Sequence, residues 1–88
     1  MDYQEKFKKT LLSHPQCILG KKGITEEFVN NVAKLLKKDK IIKIKALKSV
    51  ANRSNIKEIA DHISTLTNSN ILDIRGRMII ISTYKMVN

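Results

Sequence analysis

The residues of this chain best suited to do chemistry are Gly20, Lys21, Lys22 and Gly23. Two glycines three apart bracket two lysines, after the apolar run Cys17-Ile18-Leu19 and before a helix start at Thr25. Glycine lets backbone amides turn outward and lets a ligand approach with no Cβ in the way. A helix N-terminus carries partial positive charge, and two lysines add full charges. Strand, glycine loop and helix start together make a phosphate-contact geometry. The same residues also make an ordinary turn, since glycine pairs are common in turns. A nucleotide-hydrolysing P-loop is excluded, because no glycine here is followed by Lys and Ser or Thr at the required spacing. A missing third glycine excludes the dinucleotide fingerprint.

Other reactive side chains do not assemble into a site. His14 and His62 are far apart, and no Cys or carboxylate cluster has ligand spacing, so neither a metal nor a cofactor is expected. The eight Asp and Glu residues form no paired constellation, and no Ser–His or Cys–His arrangement is discernible. A binding protein is expected, not an enzyme. Cys17, between apolar neighbours, reads as a small core residue. As the single cysteine it excludes an internal disulfide and fits a reducing compartment.

The elements that must position the loop are legible from periodicity. Asp2 and Glu5 have the spacing of a capping pair, and Tyr3, Phe7 and Leu11 recur every four residues, with Lys6, Lys8 and Lys9 outward. That first helix ends at Ser13-His14-Pro15, because the residue before proline avoids helical dihedrals. Cys17-Ile18-Leu19 reads as a short buried strand. Thr25 is a good N-cap for a second helix, with Glu26 and Glu27 in its first turn, an Ile24–Val29 staple and Lys37 and Lys38 at its end. Its apolar stripe is Phe28, Val29, Val32, Leu35 and Leu36. Over Ile41–Leu47, Ile42, Ile44 and Ala46 alternate with Lys43 and Lys45, a half-buried strand with a basic outer face.

A third helix carries Ile56, Ile59, Ala60, Ile63 and Leu66 at helical spacing, with Asn55 and Glu58 as a cap pair. Ile71–Ile74 and Met78–Ile81 are strands joined by a hairpin at Arg75-Gly76-Arg77. Met78–Ile81 is apolar on both faces, which suits an interior strand. The order is α-β-α-β-α-β-β, an α/β two-layer fold, with no repeat and no linker. Residues 1–88 are expected to form one domain, helix-linked strands pairing in parallel and the last hairpin adding an antiparallel strand.

Seventeen Lys and Arg against eight Asp and Glu give a formal charge of +9. A self-repelling surface of this kind reflects an anionic partner, nucleic acid before membrane. Lys34, Lys37, Lys38, Lys40, Lys43, Lys45 and Lys48 cluster along the chain against Asp39 alone. Lysine outnumbers arginine fourteen to three, which favours point-charge contact with a backbone over bidentate readout of bases. With only Tyr3, Phe7, Phe28 and Tyr84 aromatic, and no exposed aromatic pair on a strand, base stacking of the RRM kind is not expected. The opening "MDYQEKFKKT" has no apolar signal core, and no apolar run approaches membrane-spanning length. A soluble cytoplasmic protein, monomeric and without membrane contact, is the expectation.

"SHPQCILGKKGIT", the strand "IIKIKAL" and the hairpin "ILDIRGRMIII" together resemble the YhbY-like proteins, which carry the chloroplast RNA splicing and ribosome maturation (CRM) domain. The resemblance spans nearly the whole chain in the right order. It implies a four-stranded mixed sheet akin to the C-terminal domain of translation initiation factor three. It also implies RNA binding through a GxxG loop like that of KH domains. Free-standing prokaryotic members are associated with large-subunit ribosomal precursors, and plant relatives promote group II intron splicing. By position, Gly20, Lys21, Lys22 and Gly23 match the loop, Thr25 the residue opening the next helix, His14-Pro15 the turn before the first strand, and Gly76 the hairpin glycine. Where the family often ends its last strand with Leu-Tyr-Arg, this chain has Tyr84 and Lys85.

The expected RNA contacts are therefore Gly20, Lys21, Lys22, Gly23 and Thr25, with Lys43 and Lys45 from one strand face and Arg75 and Arg77 from the hairpin tip. The competing reading is an Alba-like architectural protein, which shares a related βαβαββ arrangement. It would coat duplex nucleic acid as a dimer and need no GxxG loop.

Overall fold

The computed structural model describes residues 3–83; Asp2, Tyr84 and Lys85, named above, lie outside the described residues. The elements are α1 (Tyr3–Leu12), β1 (Cys17–Leu19), α2 (Glu26–Asp39), β2 (Ile41–Ala46), α3 (Ile56–Thr67), β3 (Asn70–Arg75) and β4 (Met78–Ser82), in the expected order. The strands form one sheet in the order β1-β2-β4-β3. β1 and β2 are parallel, whereas β4 runs antiparallel to both β2 and β3. β3 therefore points the same way as β2 but is separated from it by β4. Met78–Ile81 occupies an interior position, and Ile79, Ile80 and Ile81 are fully buried.

One face of the sheet carries the core. Ile42, Ile44 and Ala46 from β2 and Ile79 and Ile81 from β4 pack with Val32 and Leu36 of α2 and Ile56, Ala60 and Ile63 of α3. Burying side chains of this size contributes roughly 1.5–3 kcal/mol each, which dominates the stability of a domain this small. α1 lies on the opposite face against β2, where Ile41 and Ile80 are also buried. It covers one end of that face only.

Local chemistry sets the helix ends. Thr25 caps α2 as expected, its Oγ1 accepting from the Phe28 amide at 3.0 Å. α3 departs from the expected Asn55–Glu58 pair: Asn55 makes no side-chain cap. Its Oδ1 accepts instead from the Asn52 amide at 2.7 Å, while Asn52 Oδ1 accepts from the amides of Ser54 and Asn55. Two asparagines three apart thus close the turn before the helix, a local alternative to capping that this residue type favours. At the other end Asn68 adopts the left-handed conformation that stops α3, with φ 51°.

A bulge at Leu72 makes β3 irregular. Ile71 pairs with Ile81 and Asp73 with Ile80, so the register shifts between them. A regular strand would put Ile71 and Asp73 on one face, and so a carboxylate toward the core. The extra residue lets Ile71 and Ile74 both pack on the core while Asp73 and Arg75 turn to the other face.

Candidate nucleic-acid interface

The topology brings three loops to one end of the sheet. β1 and β2, being parallel, both end there, and the β3–β4 hairpin turns there. The Leu47 amide donates to the Leu19 carbonyl at 3.0 Å, and the Ala46 amide donates to the Arg77 carbonyl at 2.9 Å. These bonds tie the Gly20–Gly23 loop, the segment after β2 and the hairpin tip into a single rim. Lys21, Lys22, Lys45, Lys48, Arg75 and Arg77 are all exposed.

Gly20–Gly23 is a closed turn, with the Gly23 amide donating to the Gly20 carbonyl at 2.9 Å. Lys21 and Lys22 occupy its two central positions. The two glycines are not equivalent. Gly23 sits at φ +75°, where a side chain is strained. Gly20 has no such conformation, and a Cβ there would meet only Leu47 Cδ1 at an ordinary 3.9 Å. The fold therefore favours glycine at 23 and tolerates a side chain at 20.

The start of α2 attracts anions less than the sequence implied. Thr25 Oγ1 already satisfies the Phe28 amide, and the exposed carboxylates of Glu26 and Glu27 fall in the first turn. They offset the helix dipole that would favour a phosphate. Positive charge at this end comes from the loop lysines and the rim.

Lys43 and Lys45 have different surroundings. Lys45 is exposed on the open part of the sheet face, as expected. Lys43 is half-buried under α1, where Nζ donates to the carbonyls of Leu11 at 2.8 Å and Ser13 at 3.1 Å. Its own amide donates to Gln16 Oε1 at 2.8 Å. The Lys43 ammonium thus holds the C-terminal end of α1, where a helix favours a cation. Alternation alone assigned it to a free basic face; it could not show what covers that face.

The run of lysines is also divided in space. α2 starts beside the glycine loop and runs to the opposite end of the sheet, about 21 Å at its length. Lys37, Lys38 and Lys40 therefore lie at the far end from Lys21, Lys45 and Lys48. At the hairpin, Gly76 has φ +58°, as its tight turn requires. Arg75 Nε donates to Asp73 Oδ2 at 2.7 Å, a pair that the bulge at Leu72 permits by turning both side chains to the same face.

Asn31 Nδ2 donates to the buried Cys17 Sγ at 3.7 Å, and burial pushes the thiol up from its ordinary value. Among the described residues no group of three His, Cys, Asp or Glu could hold a metal, and no helix is long and apolar enough to cross a membrane.

The profile of the CRS1 / YhbY (CRM) domain matches residues 4–82. The chain is also similar to the solution structure of the Staphylococcus aureus hypothetical protein SAV1595, described as a candidate RNA-binding protein. The TM-score is 0.76 at 26% sequence identity, covering 97% of this chain and 86% of that one. No curated protein matches the chain.

Proposed function

The chain belongs to the CRS1/YhbY (CRM) domain family of non-catalytic RNA-binding domains, and on that premise we propose that it binds ribosomal RNA in large-subunit precursors as a cytoplasmic, monomeric assembly factor. The grip is the Gly20–Gly23 loop, with Lys21 and Lys22 on phosphates and Lys45, Arg75 and Arg77 extending the contact along the rim. Thr25 holds the loop's exit to α2. The carrying observation is the convergence of the glycine loop and the hairpin tip on the two sides of the β2 end. Lysine on a loop of this kind positions a backbone and reads little sequence, so selectivity comes from RNA shape and from unpaired segments. Lys43 is left out of this contact set because two of its three donors hold α1.

Competition between a ribosomal RNA fragment and duplex DNA tests the proposal, read for the parent chain and for Lys21→Asp/Lys22→Asp after circular dichroism shows the variant folded. Preferential loss of structured-RNA binding in the variant supports it. Unchanged binding, with duplex DNA competing equally, sinks it in favour of an architectural duplex binder. Co-sedimentation with large-subunit precursors tests the ribosomal part separately.

A further inference from the structure

The sheet register aligns four residues in one row across the face that α1 leaves open. Ile18 pairs with Lys45, Lys45 with Met78, and Met78 with Arg75. Paired residues share a face, so their side chains project together, apolar and cationic in alternation. Ile18 is 56% exposed although it is a large aliphatic residue on a strand, and Met78 is half-buried. The Arg75 side chain is 67% exposed, and Asp73 anchors its Nε. With strands about 4.8 Å apart, the row is about 14 Å long. Its β1 end lies two residues from Gly20.

We propose that this row seats unstacked bases of the single-stranded RNA segment whose phosphates the glycine loop holds. The inference rests on the loop reading above and names what lies beyond it: a base-contact surface without aromatics. The occupant follows from charge complementarity. Lys45 and Arg75 within the row, and Lys21 and Lys22 beside it, demand a polyanion, while Ile18 and Met78 demand flat apolar groups between the charges. Single-stranded RNA offers both at once. A four-stranded sheet face accommodates two or three splayed bases in other RNA-binding domains, where aromatic side chains stack on them. Here an exposed isoleucine and a polarisable thioether supply the apolar contact. The Arg75 guanidinium, held at Nε by Asp73, keeps its other nitrogens and its planar faces for a base or a phosphate. Such contacts are tolerant of base identity.

Binding of a labelled ten-nucleotide oligouridylate, and of an abasic ribose-phosphate probe of equal length, tests the row. Ile18→Ser weakens oligouridylate binding about fivefold, leaves the abasic probe unaffected and leaves the salt dependence unchanged, because apolar contact is lost and no phosphate contact is. Ile18→Phe, which adds a stacking surface, tightens binding of the base-bearing probe only. Equal loss on both probes, or no loss on either, overturns the row. Lys21→Gln/Lys22→Gln separates the two readings. If it flattens the salt dependence while Ile18→Ser changes nothing, the loop stands and the row falls. The reverse pattern leaves the row and removes the loop. No binding of oligouridylate by the parent chain overturns the row.

Discussion

Replacing Lys43 by methionine keeps the apolar stem under α1 and removes the ammonium that holds the Leu11 and Ser13 carbonyls. A hydrogen bond from a charged donor contributes about 1.5–3 kcal/mol, and a cation at a helix C-terminus about 0.3–1 kcal/mol. Both figures shrink here because Lys43 is only half-buried and water can replace part of the contact at Ser13. The expected loss is about 1.5 kcal/mol, a large fraction of the stability of a domain this size. At about 4–8 °C per kcal/mol for a chain of this length, the Tm falls by about 6–12 °C. Urea denaturation followed by circular dichroism measures the loss, and hydrogen exchange places it in α1. Affinity for RNA changes less than about twofold, on the footing that no phosphate contact is removed. A variant as stable as the parent, with RNA affinity and salt dependence both reduced, would refute the reasoning and return Lys43 to the binding surface.

Gly23→Ala costs about 1 kcal/mol in urea melts because of its positive φ, whereas Gly20→Ala is near neutral. Any RNA affinity lost at position 20 then reports ligand approach and not folding. Glu26→Gln/Glu27→Gln raises affinity roughly two- to fivefold in filter binding by removing repulsion beside the loop; unchanged affinity places the phosphates away from α2. Burial raises the Cys17 thiol above its ordinary 9.0, outweighing the hydrogen bonds from Asn31 and the Ile18 backbone. The folded chain then keeps a proton that the unfolded chain releases, so this contribution is intact below the unfolded thiol value and declines as pH rises through the folded one. Melts between about pH 8 and about pH 10 show a decline that Cys17→Ala lessens.

What the sequence discloses here is what short-range chemistry decides. Thr25 announces the start of α2 because its hydroxyl reaches an amide three residues on. Gly76 announces the hairpin because the turn needs a positive φ. The interior place of β4 is legible because isoleucines on both faces can only be buried. What it conceals depends on partners distant in the chain. Lys43 and Lys45 are equivalent by alternation, and only the docking of α1 distinguishes them. The lysines from Lys34 to Lys48 form one cluster along the chain and two in space, because α2 carries part of them to the far end of the sheet. The bulge at Leu72 breaks the period of two, so the pairing of Asp73 with Arg75 depends on the register with β4 and not on the segment alone. The row Ile18, Lys45, Met78 and Arg75 comes from four strands, and no single segment announces it.

The salt dependence of RNA binding, parent against Lys21→Gln/Lys22→Gln, tests most directly whether the glycine loop holds phosphates. With Lys21, Lys22, Lys45, Arg75 and Arg77 on the phosphates of a single strand, the parent's log K falls against log salt with a slope of about −3.5. Losing two of those contacts flattens the slope by about 1.4 in the double variant. A slope unchanged by the substitutions would contradict the account and leave Gly20–Gly23 as a turn.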